Sequence, residues 1–206
     1  SPNRVDLEII ESLNPDIILC NKEETGFNEL SQLEAIAPTH FSSVNSIDNM
    51  LQLIRDYGEL LNCRTASINL IQKINFKLSN FQKVVNEQPV RKVVYFLKAD
   101  PWMAVGGSNY TNALLELNKF INIYAHMSQT PKIDLERLRS EGDPDVIFLS
   151  DESFKFEDSH ALKLGNYSNR SVTVFANGEL FSRFGPRLLK ALDYFTELHK
   201  RLDSHF

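Results

Sequence analysis

The sequence predicts an α/β protein with two Rossmann-like lobes, each built on a parallel sheet and joined by one long α-helix. The first observation behind this is a repeat, because DLEIIESLNPDIILC at residues 6–20 returns as DLERLRSEGDPDVIFLS at residues 134–150. Each copy is typical of a helix, a Pro-Asp break and a buried strand. Short apolar runs alternate with helical segments along the chain, which indicates parallel strands covered by helices. The third observation is an uninterrupted amphipathic stretch over residues 65–85.

The first lobe is predicted to follow the order αβαβα. Its first helix covers residues 5–13, with Asn3 or Asp6 as the N-cap and Asn14-Pro15 as the stop signal. The continuous apolar run at residues 17–20 predicts a buried strand. The elements that follow are a loop over residues 21–24, a helix over residues 28–36, a strand over residues 39–42 and a helix opened by Ser46.

A single long helix is predicted for residues 65–85, which contain neither Pro nor Gly. Its apolar residues recur at spacings of three and four and form one stripe, which consists of Ile71, Ile74, Leu78, Phe81 and Val85. At 1.5 Å per residue the helix spans about 30 Å. We interpret it as a connector between lobes, because its stripe covers only about three heptads of a coiled-coil seam. The predicted regions are a first lobe at residues 1–63, the connecting helix at residues 64–88 and a second lobe at residues 89–206.

The second lobe continues the alternation of strands and helices. Its clearest strand is VVYFL at residues 93–97, and a loop with Trp102 and two glycines follows it at residues 100–107. Asn177-Gly178 is typical of a turn after the last strand. The other predicted elements are helices over residues 109–118, 133–139 and 186–202, strands over residues 121–124, 146–149 and 172–175, and a loop over residues 151–158.

The composition of the 206 residues is that of a globular protein, with 42% apolar and 24% charged residues. A formal net charge of −5 argues against a nucleic-acid partner, which usually meets a basic face. No run of about 18 apolar residues is present, so no membrane span is predicted. The two cysteines and five histidines lack the spacing of a metal site, and the hydrolase motif Gly-x-Ser-x-Gly is absent. The sequence therefore predicts neither metal ligands nor catalytic residues.

The loops after the strands are the candidate functional segments. Parallel α/β sheets bind ligands at the carboxyl ends of their strands, so two facing sheets would bring such loops to one cleft. Trp102, the only tryptophan, either packs in the core or offers a flat apolar surface to a ligand. Gly106-Gly107-Ser108 before a helix is a weak signal for a phosphate or carboxylate site at the helix N-terminus. The four loops cover residues 21–24, 100–107, 151–156 and 179–184.

Five stretches, taken in order, carry a resemblance to a known family. They are DLEIIESLNPDIILCNKEE, the helix at residues 65–85, DPWMAVGGSNYTNALLELNKFINIY, DPDVIFLSDESFKF and NGELFSRFGPRLLKALDYF. Together they resemble the periplasmic substrate-binding proteins of ABC importers for cobalamin and ferric siderophores, from about Val5 to Leu202. Members of that family carry about fifty or more further residues before this point. The resemblance thus implies either that the chain is part of a longer one or that its first lobe is reduced.

The resemblance implies a ligand held by the four loops, with no catalytic residue, metal site or cofactor of the protein's own. By position in the matching stretches, the expected ligand contacts are Asn21, Trp102, Phe154, Phe181, Arg183 and Phe184. Arg183 stands where relatives place an aromatic residue, and its guanidinium favours a carboxylate or a catecholate-like anion. The family docks on its permease through one acidic residue per lobe. The candidates are Glu24 or Glu29 in the first lobe and Glu152 or Glu157 in the second.

The first hypothesis is therefore the substrate-binding component of an ABC importer, which captures a metal chelate and delivers it to an inner-membrane permease. The chelate would be a ferric siderophore, cobalamin or haem. The resemblance implies a monomer in the periplasm, or a lipoprotein anchored to the membrane and facing the periplasm. The alternative is an enzyme on a related two-lobed scaffold, acting on a metallated or sugar-like substrate through converging titratable groups with shifted pKa values. A third hypothesis is a relative that binds a protein.

Overall fold

A computed structural model describes residues 6–22 and 27–206, with the backbone alone at Phe27 and Asn28. The chain divides into two compact units, Ser1–Val44 and Asn45–Phe206. Each unit combines helices with parallel strands, which confirms the predicted α/β fold class. The limits predicted at residues 63 and 88 separate the two lobes from the long helix. They were drawn from sequence segments and not from the compactness of the fold, so they stay a prediction.

The first unit pairs two short strands in parallel. The predicted N-cap is confirmed at Asp6, whose carboxylate accepts from the Ile9 backbone N–H at 3.1 Å, while Asn3 lies outside the described residues. At the end of the strand pair Asn21 lies opposite Ser42. The elements in chain order are α1 (Leu7–Ser12), β1 (Ile18–Asn21), α2 (Phe27–Ile36) and β2 (Thr39–Ser42).

The second unit contains a five-stranded sheet. Its strands are β3 (Arg91–Lys98), β4 (Met103–Ala104), β5 (Phe120–Asn122), β6 (Val146–Ser150) and β7 (Val172–Ala176). Strands β3, β6 and β7 lie side by side in parallel. The other edge of β3 pairs in parallel with β5 and, nearer its carboxyl end, antiparallel with β4.

Helices surround this sheet. They are α3 (Ile47–Leu60), α4 (Arg64–Asn86), α5 (Tyr110–Leu117), α6 (Leu138–Glu141), α7 (Asp158–Leu164), α8 (Gly178–Ser182) and α9 (Leu188–Asp203), and 3-10 turns at Leu135–Arg137 and Gly185–Arg187 precede α6 and α9. Every residue of β6 is buried, as expected for a central parallel strand with both faces covered. Among the described helices, none combines the length and apolar character needed to cross a bilayer.

Helix α4 confirms the predicted long helix and extends it by one residue at each end, to 23 residues. Four of the five stripe residues are buried, and Leu78 is partly buried. This helix packs against α3 and α9. Gly58 of α3 permits a close approach, because a Cβ there would stand 2.5 Å from the Ser67 Cβ. Toward the other neighbour, the rings of Phe81 and Phe195 lie 6.1 Å apart.

Two predicted loops contain short elements. The loop predicted at residues 100–107 contains β4, which pairs with β3 and with the backbone near Lys132. The turn predicted at Asn177-Gly178 is the start of α8, because the Asn177 side chain accepts from the Leu180 N–H at 3.3 Å. The predicted loop at residues 179–184 is therefore largely helical. Both corrections concern elements of two to five residues, which are too short to show a hydrophobic period.

Three helices also differ from the prediction. The helix predicted at residues 133–139 begins later, after the Asp134 cap, and its first turn is a 3-10 turn. The last helix likewise opens as a 3-10 turn at Gly185–Arg187. Helix α7 is absent from the sequence prediction. Its N-cap is Glu157, whereas Ser, Thr, Asp and Asn are the residues that usually mark a helix start.

Candidate functional site

The candidate site lies at the carboxyl ends of β3, β6 and β7, within the second unit. These strands run parallel, so the segments that follow them leave the sheet at one edge. Residues 99–107 follow β3, residues 151–157 follow β6, and α8 follows β7. The predicted contacts on or directly after these segments are Trp102, Phe154, Phe181, Arg183 and Phe184.

An aromatic cluster joins the segments after β3 and β6. Trp102 stacks on Phe156 with ring centroids 5.9 Å apart and meets Phe96 edge-on at 4.9 Å. Phe154 packs against Phe156 at 4.8 Å and against His160 at 5.5 Å. Trp102 is only 6% exposed, whereas Phe154 is partly exposed. Trp102 thus packs in the core, as one of its two interpretations expected, and its direct contact with a ligand stays a prediction. Phe154 is a member of the cluster that solvent can reach.

Glu157 and His160 close the N-terminus of α7. The Glu157 backbone N–H donates to His160 Nδ1 at 3.0 Å, and the Glu157 carboxylate accepts from the backbone N–H of His160. This is the reciprocal arrangement of a capping box, built here from an unusual pair of residues. The cap engages the carboxylate of one candidate docking residue, whose contact with a permease stays a prediction.

An ion pair links the segments after β6 and β7. Arg183 Nε lies 3.0 Å from Glu152 Oε1. The arginine side chain is 55% exposed, while the glutamate side chain is 19% exposed. The pair therefore presents its guanidinium to solvent and covers its own carboxylate. It joins a predicted ligand contact to a predicted docking residue.

Gly178 allows the segment after β6 to lie against the start of α8. A Cβ on Gly178 would stand 2.4 Å from Ser150 Oγ and 2.6 Å from the Glu152 Cβ. The Gly178 N–H donates to Asp151 Oδ1 at 2.8 Å. Adjacent carboxylates after β6 thus have different tasks, since Asp151 holds α8 and Glu152 pairs with Arg183.

The two phenylalanines of the last segment have different surroundings. Phe181 is fully buried, with its ring 4.8 Å from that of Phe195 and 5.0 Å from that of Tyr95. Phe184 is partly buried and lies 6.1 Å from the ring of Tyr110. Phe181 therefore supports the edge from within the core, and Phe184 offers a surface to solvent.

The Gly106-Gly107 pair serves packing rather than anion binding. The Gly106 N–H donates to the Gln129 carbonyl at 2.7 Å, and the Gly107 N–H donates to the Met127 carbonyl at 2.8 Å. A Cβ on Gly107 would stand 2.2 Å from the Ala125 carbonyl oxygen. Both glycine amides are occupied within the fold, so neither is available to an anion.

Two side chains with titratable groups near this edge, Tyr95 and His160, are held within the fold. Burial raises the pKa of the Tyr95 hydroxyl well above its ordinary value, so the hydroxyl stays protonated. His160 is engaged in the α7 cap. The described part of the chain holds no group of three or more His, Cys, Asp or Glu side chains that could bind a metal ion. What the edge offers a ligand includes aromatic surface and the exposed guanidinium of Arg183.

The first unit carries the other predicted site residues. Asn21 is the last residue of β1 and is partly buried. Glu29 lies in the first turn of α2 and is also partly buried. Glu24 lies outside the described residues. The ligand contact of Asn21 and the docking contacts of the two glutamates stay predictions.

A groove of about 530 Å³ lies between α4 and α9, apart from the candidate site. Its walls include the exposed side chains of Phe76 and Val84, and Lys77 Nζ lies 2.5 Å from Asp193 Oδ2 within it. None of the predicted ligand contacts lines this groove. The groove and the edge of the sheet are therefore separate surfaces of the second unit.

Two arrangements at the site were not predicted from the sequence. Glu157 and His160 have the spacing of a capping box but not its usual residue types, so the start of α7 has no clear signal in the sequence. The pairing of Glu152 with Arg183 has no such local signal, because the two residues follow different strands. Only the parallel register of β6 and β7 brings their segments together.

A family described as periplasmic binding protein matches residues 1–166 of the chain. Among curated proteins, no sequence gives a significant match.

Solved structures share the fold over nearly the whole chain. The periplasmic vitamin B12 binding protein BtuF of Vibrio cholerae is 17% identical, with a TM-score of 0.79 over 98% of this chain and 81% of that one. The periplasmic heme-binding protein RhuT from Roseiflexus sp. RS-1 is 18% identical, with a TM-score of 0.78 and the same two coverages, 98% and 81%. An ABC-type Fe3+-hydroxamate transport protein from Saccharomonospora viridis DSM 43017 is 17% identical, with a TM-score of 0.65 over 94% of this chain and 72% of that one.

Proposed function

Because the chain belongs to the periplasmic binding protein family, we propose that it is the substrate-binding component of an ABC importer for a metal chelate. The observation that supports this most directly is the character of the sheet edge in the second unit. That edge carries a partly exposed aromatic cluster and the exposed guanidinium of Arg183. Such a surface suits an extended organic ligand with an anionic group.

The ligand class follows from the compared proteins and from this edge. Their names refer to vitamin B12, to heme and to an Fe3+-hydroxamate, which are all metal chelates with a large organic surface. Aromatic side chains contact such surfaces with little loss of side-chain entropy. Of the three, haem combines a flat ring with two carboxylates, and it is therefore the ligand that both features of the edge fit.

We propose that Phe154, Arg183 and Phe184 contact the ligand directly, because each is at least partly exposed. Trp102 and Phe181 are more deeply buried and would hold these side chains in position. Asn21 of the first unit is the remaining proposed contact.

The proposed partner is an inner-membrane permease, reached from the periplasm. Glu29 or Glu24 in the first unit and Glu152 or Glu157 in the second are the proposed docking residues. Two charges on separate lobes would fix the orientation of the complex and raise its association rate. The proposal includes a monomeric protein, either free in the periplasm or anchored there as a lipoprotein.

Titration with three chelates tests the proposal. Haem, cyanocobalamin and a ferric hydroxamate siderophore are added separately, and binding is followed by equilibrium dialysis and by fluorescence of Trp102, the only tryptophan. We expect saturable binding of one chelate below about 1 μM, equivalent to more than about 8 kcal/mol. Failure of all three to bind the folded protein would contradict the proposal.

A pair of variants locates the site. Arg183→Gln removes the exposed guanidinium, and loss of one hydrogen bond to a charged group should weaken haem binding about tenfold. Arg187→Gln is the matched control, because Arg187 is also exposed and ion-paired but its partner is Glu179. Equal effects of the two substitutions would place the ligand elsewhere.

A further inference from the structure

We infer that Glu152 competes with an anionic group of the ligand for Arg183, so that ligand binding releases the Glu152 carboxylate from its cover. This inference rests on the proposed function, since it describes the regulation of the same site. Before the ligand binds, the Glu152 carboxylate pairs with Arg183 in place of the ligand's anionic group. The starting observation is the ion pair itself, with Arg183 Nε 3.0 Å from Glu152 Oε1.

The arginine is only partly used by this pair. A guanidinium carries five N–H donors, and the Glu152 carboxylate is the only ion-pair partner of Arg183 among the described residues. More than half of the arginine side chain is exposed. An incoming carboxylate can therefore reach the guanidinium from solvent without any change in the fold.

Two anions on one guanidinium would repel each other. The guanidinium attracts both carboxylates, but the repulsion between them opposes simultaneous pairing, and it is stronger at the effective dielectric near a protein surface than in bulk water. An ion pair with a solvated partner contributes little to stability. The incoming carboxylate therefore competes with Glu152 for the guanidinium, and the carboxylate that is held less tightly leaves.

The position of Glu152 gives this exchange a consequence at the surface. While paired, its side chain is mostly covered, and its backbone and Cβ are held against Gly178 at the start of α8. Loss of the arginine partner turns a covered, neutralised carboxylate into a free negative charge. Because binding equilibria are reciprocal, whatever captures that charge also strengthens anion binding at Arg183.

The neighbouring ion pair between Glu179 and Arg187 offers a matched comparison. It also involves a glutamate and an arginine at α8 and the turn that follows it, but both of its side chains are about half exposed. Glu152→Gln and Glu179→Gln each remove one negative charge from the same region. Removal of a negative charge raises the attraction of this region for anions in both variants, so a gain in citrate affinity from this general effect should appear in both.

The test uses citrate, a small carboxylate anion, and the Nε–Hε NMR signal of Arg183 as its reporter. The signal is assigned by its loss in Arg183→Lys. We expect citrate to shift it saturably and to bind Glu152→Gln about fivefold more tightly than the unsubstituted protein, as the loss of a competitor worth about 1 kcal/mol implies. Glu179→Gln should bind citrate within about twofold of the unsubstituted protein.

Three results would overturn the inference. They are equal citrate affinity with and without the Glu152 carboxylate, an equal gain in Glu179→Gln, and the lack of any citrate-dependent shift at Arg183. These outcomes are separate from those of the chelate titration. A chelate that binds the unsubstituted protein and Glu152→Gln equally well, with no citrate effect, leaves the proposed function standing and removes the inference. A citrate effect without chelate binding removes the proposed function and leaves only the competition between Glu152 and a carboxylate anion for Arg183.

Discussion

The two ends of the five-stranded sheet each carry an arginine–carboxylate pair, but opposite partners are exposed. At the amino end Arg91 Nη2 lies 2.7 Å from Asp203 Oδ1, with the arginine 5% and the aspartate 45% exposed. At the carboxyl end the arginine of the Arg183–Glu152 pair is 55% and the glutamate 19% exposed. The buried guanidinium is fixed as part of the fold, whereas the exposed one is free to change partners.

The surroundings of the amino-end pair explain this difference. Lys119 Nζ donates to the carbonyls of Asn86 and Gln88, at 3.0 and 2.7 Å, where α4 ends. The buried His199 of α9 lies 3.1 Å, through Nε2, from Oδ1 of the buried Asn118. These polar contacts link the ends of α4, α5 and α9 to one another beside the Arg91–Asp203 pair. One end of the sheet therefore stabilises the fold, and the other is the proposed binding surface.

Removing the carboxylate at the amino end should have the largest effect. Asp203→Asn leaves the Arg91 guanidinium buried without a counter-charge, which should lower the free energy of unfolding by about 3 kcal/mol. Arg91 Nη1 already has no hydrogen-bond partner among the described residues, so the Asp203 carboxylate is the main group that offsets the cost of burying the Arg91 charge. Urea unfolding at pH 7 measures the change. A loss below about 1 kcal/mol, the size typical of surface pairs, would remove the contrast between the two ends.

Acidification should weaken the amino end next most strongly, through His199. Burial and the nearby Arg91 charge lower the pKa of His199 from its ordinary value to about 4. Protonation therefore favours the unfolded chain, where the pKa is about 6.5, and the stability contributed by the neutral ring is lost as the pH falls from 6.5 toward 4. Between pH 7 and pH 5 the free energy of unfolding should fall by about 2 kcal/mol through this group.

The variant His199→Gln isolates that contribution. Glutamine can still donate to Asn118, but it does not titrate, while Asp203 and the other carboxylates titrate in both proteins. Urea unfolding of the two proteins at pH 7 and pH 5 gives the comparison. We expect the stability difference between them to shrink by about 2 kcal/mol at the lower pH. A pH-independent difference would show that His199 keeps an ordinary pKa in the fold.

Most elements at both ends could be predicted from the sequence, because their signals are local. The apolar runs at residues 93–97 and 146–149 are long enough to indicate buried strands, and the stripe of α4 repeats over its whole length. Short elements gave weaker signals. Helix α7 starts from a Glu157 cap, and β4 has two residues.

The candidate site could be predicted only in outline. Parallel strands indicate which edge of a sheet usually binds ligands, and Phe154, Arg183 and Phe184 lie on segments that follow strands, while their contact with a ligand stays a prediction. The burial of Trp102 and Phe181 depends on packing between distant segments, which no local pattern contains. No local pattern predicts the exposed fractions of the side chains in the two ion pairs either, although these fractions are what distinguishes the two ends of the sheet.

The smallest effect is expected at the carboxyl end. Glu152→Gln removes one charge of a pair whose arginine is solvated, so it should change the free energy of unfolding by about 0.5 kcal/mol, and less at high salt. The amide keeps most of the volume of the carboxylate beside Gly178, so packing is retained. Thermal unfolding at low and high ionic strength measures the change. A loss near 3 kcal/mol, as expected for Asp203→Asn, would mean that Arg183 is held as firmly as Arg91. An anion from solvent could then not displace Glu152, and the carboxyl end would belong to the stabilising framework rather than to the binding surface.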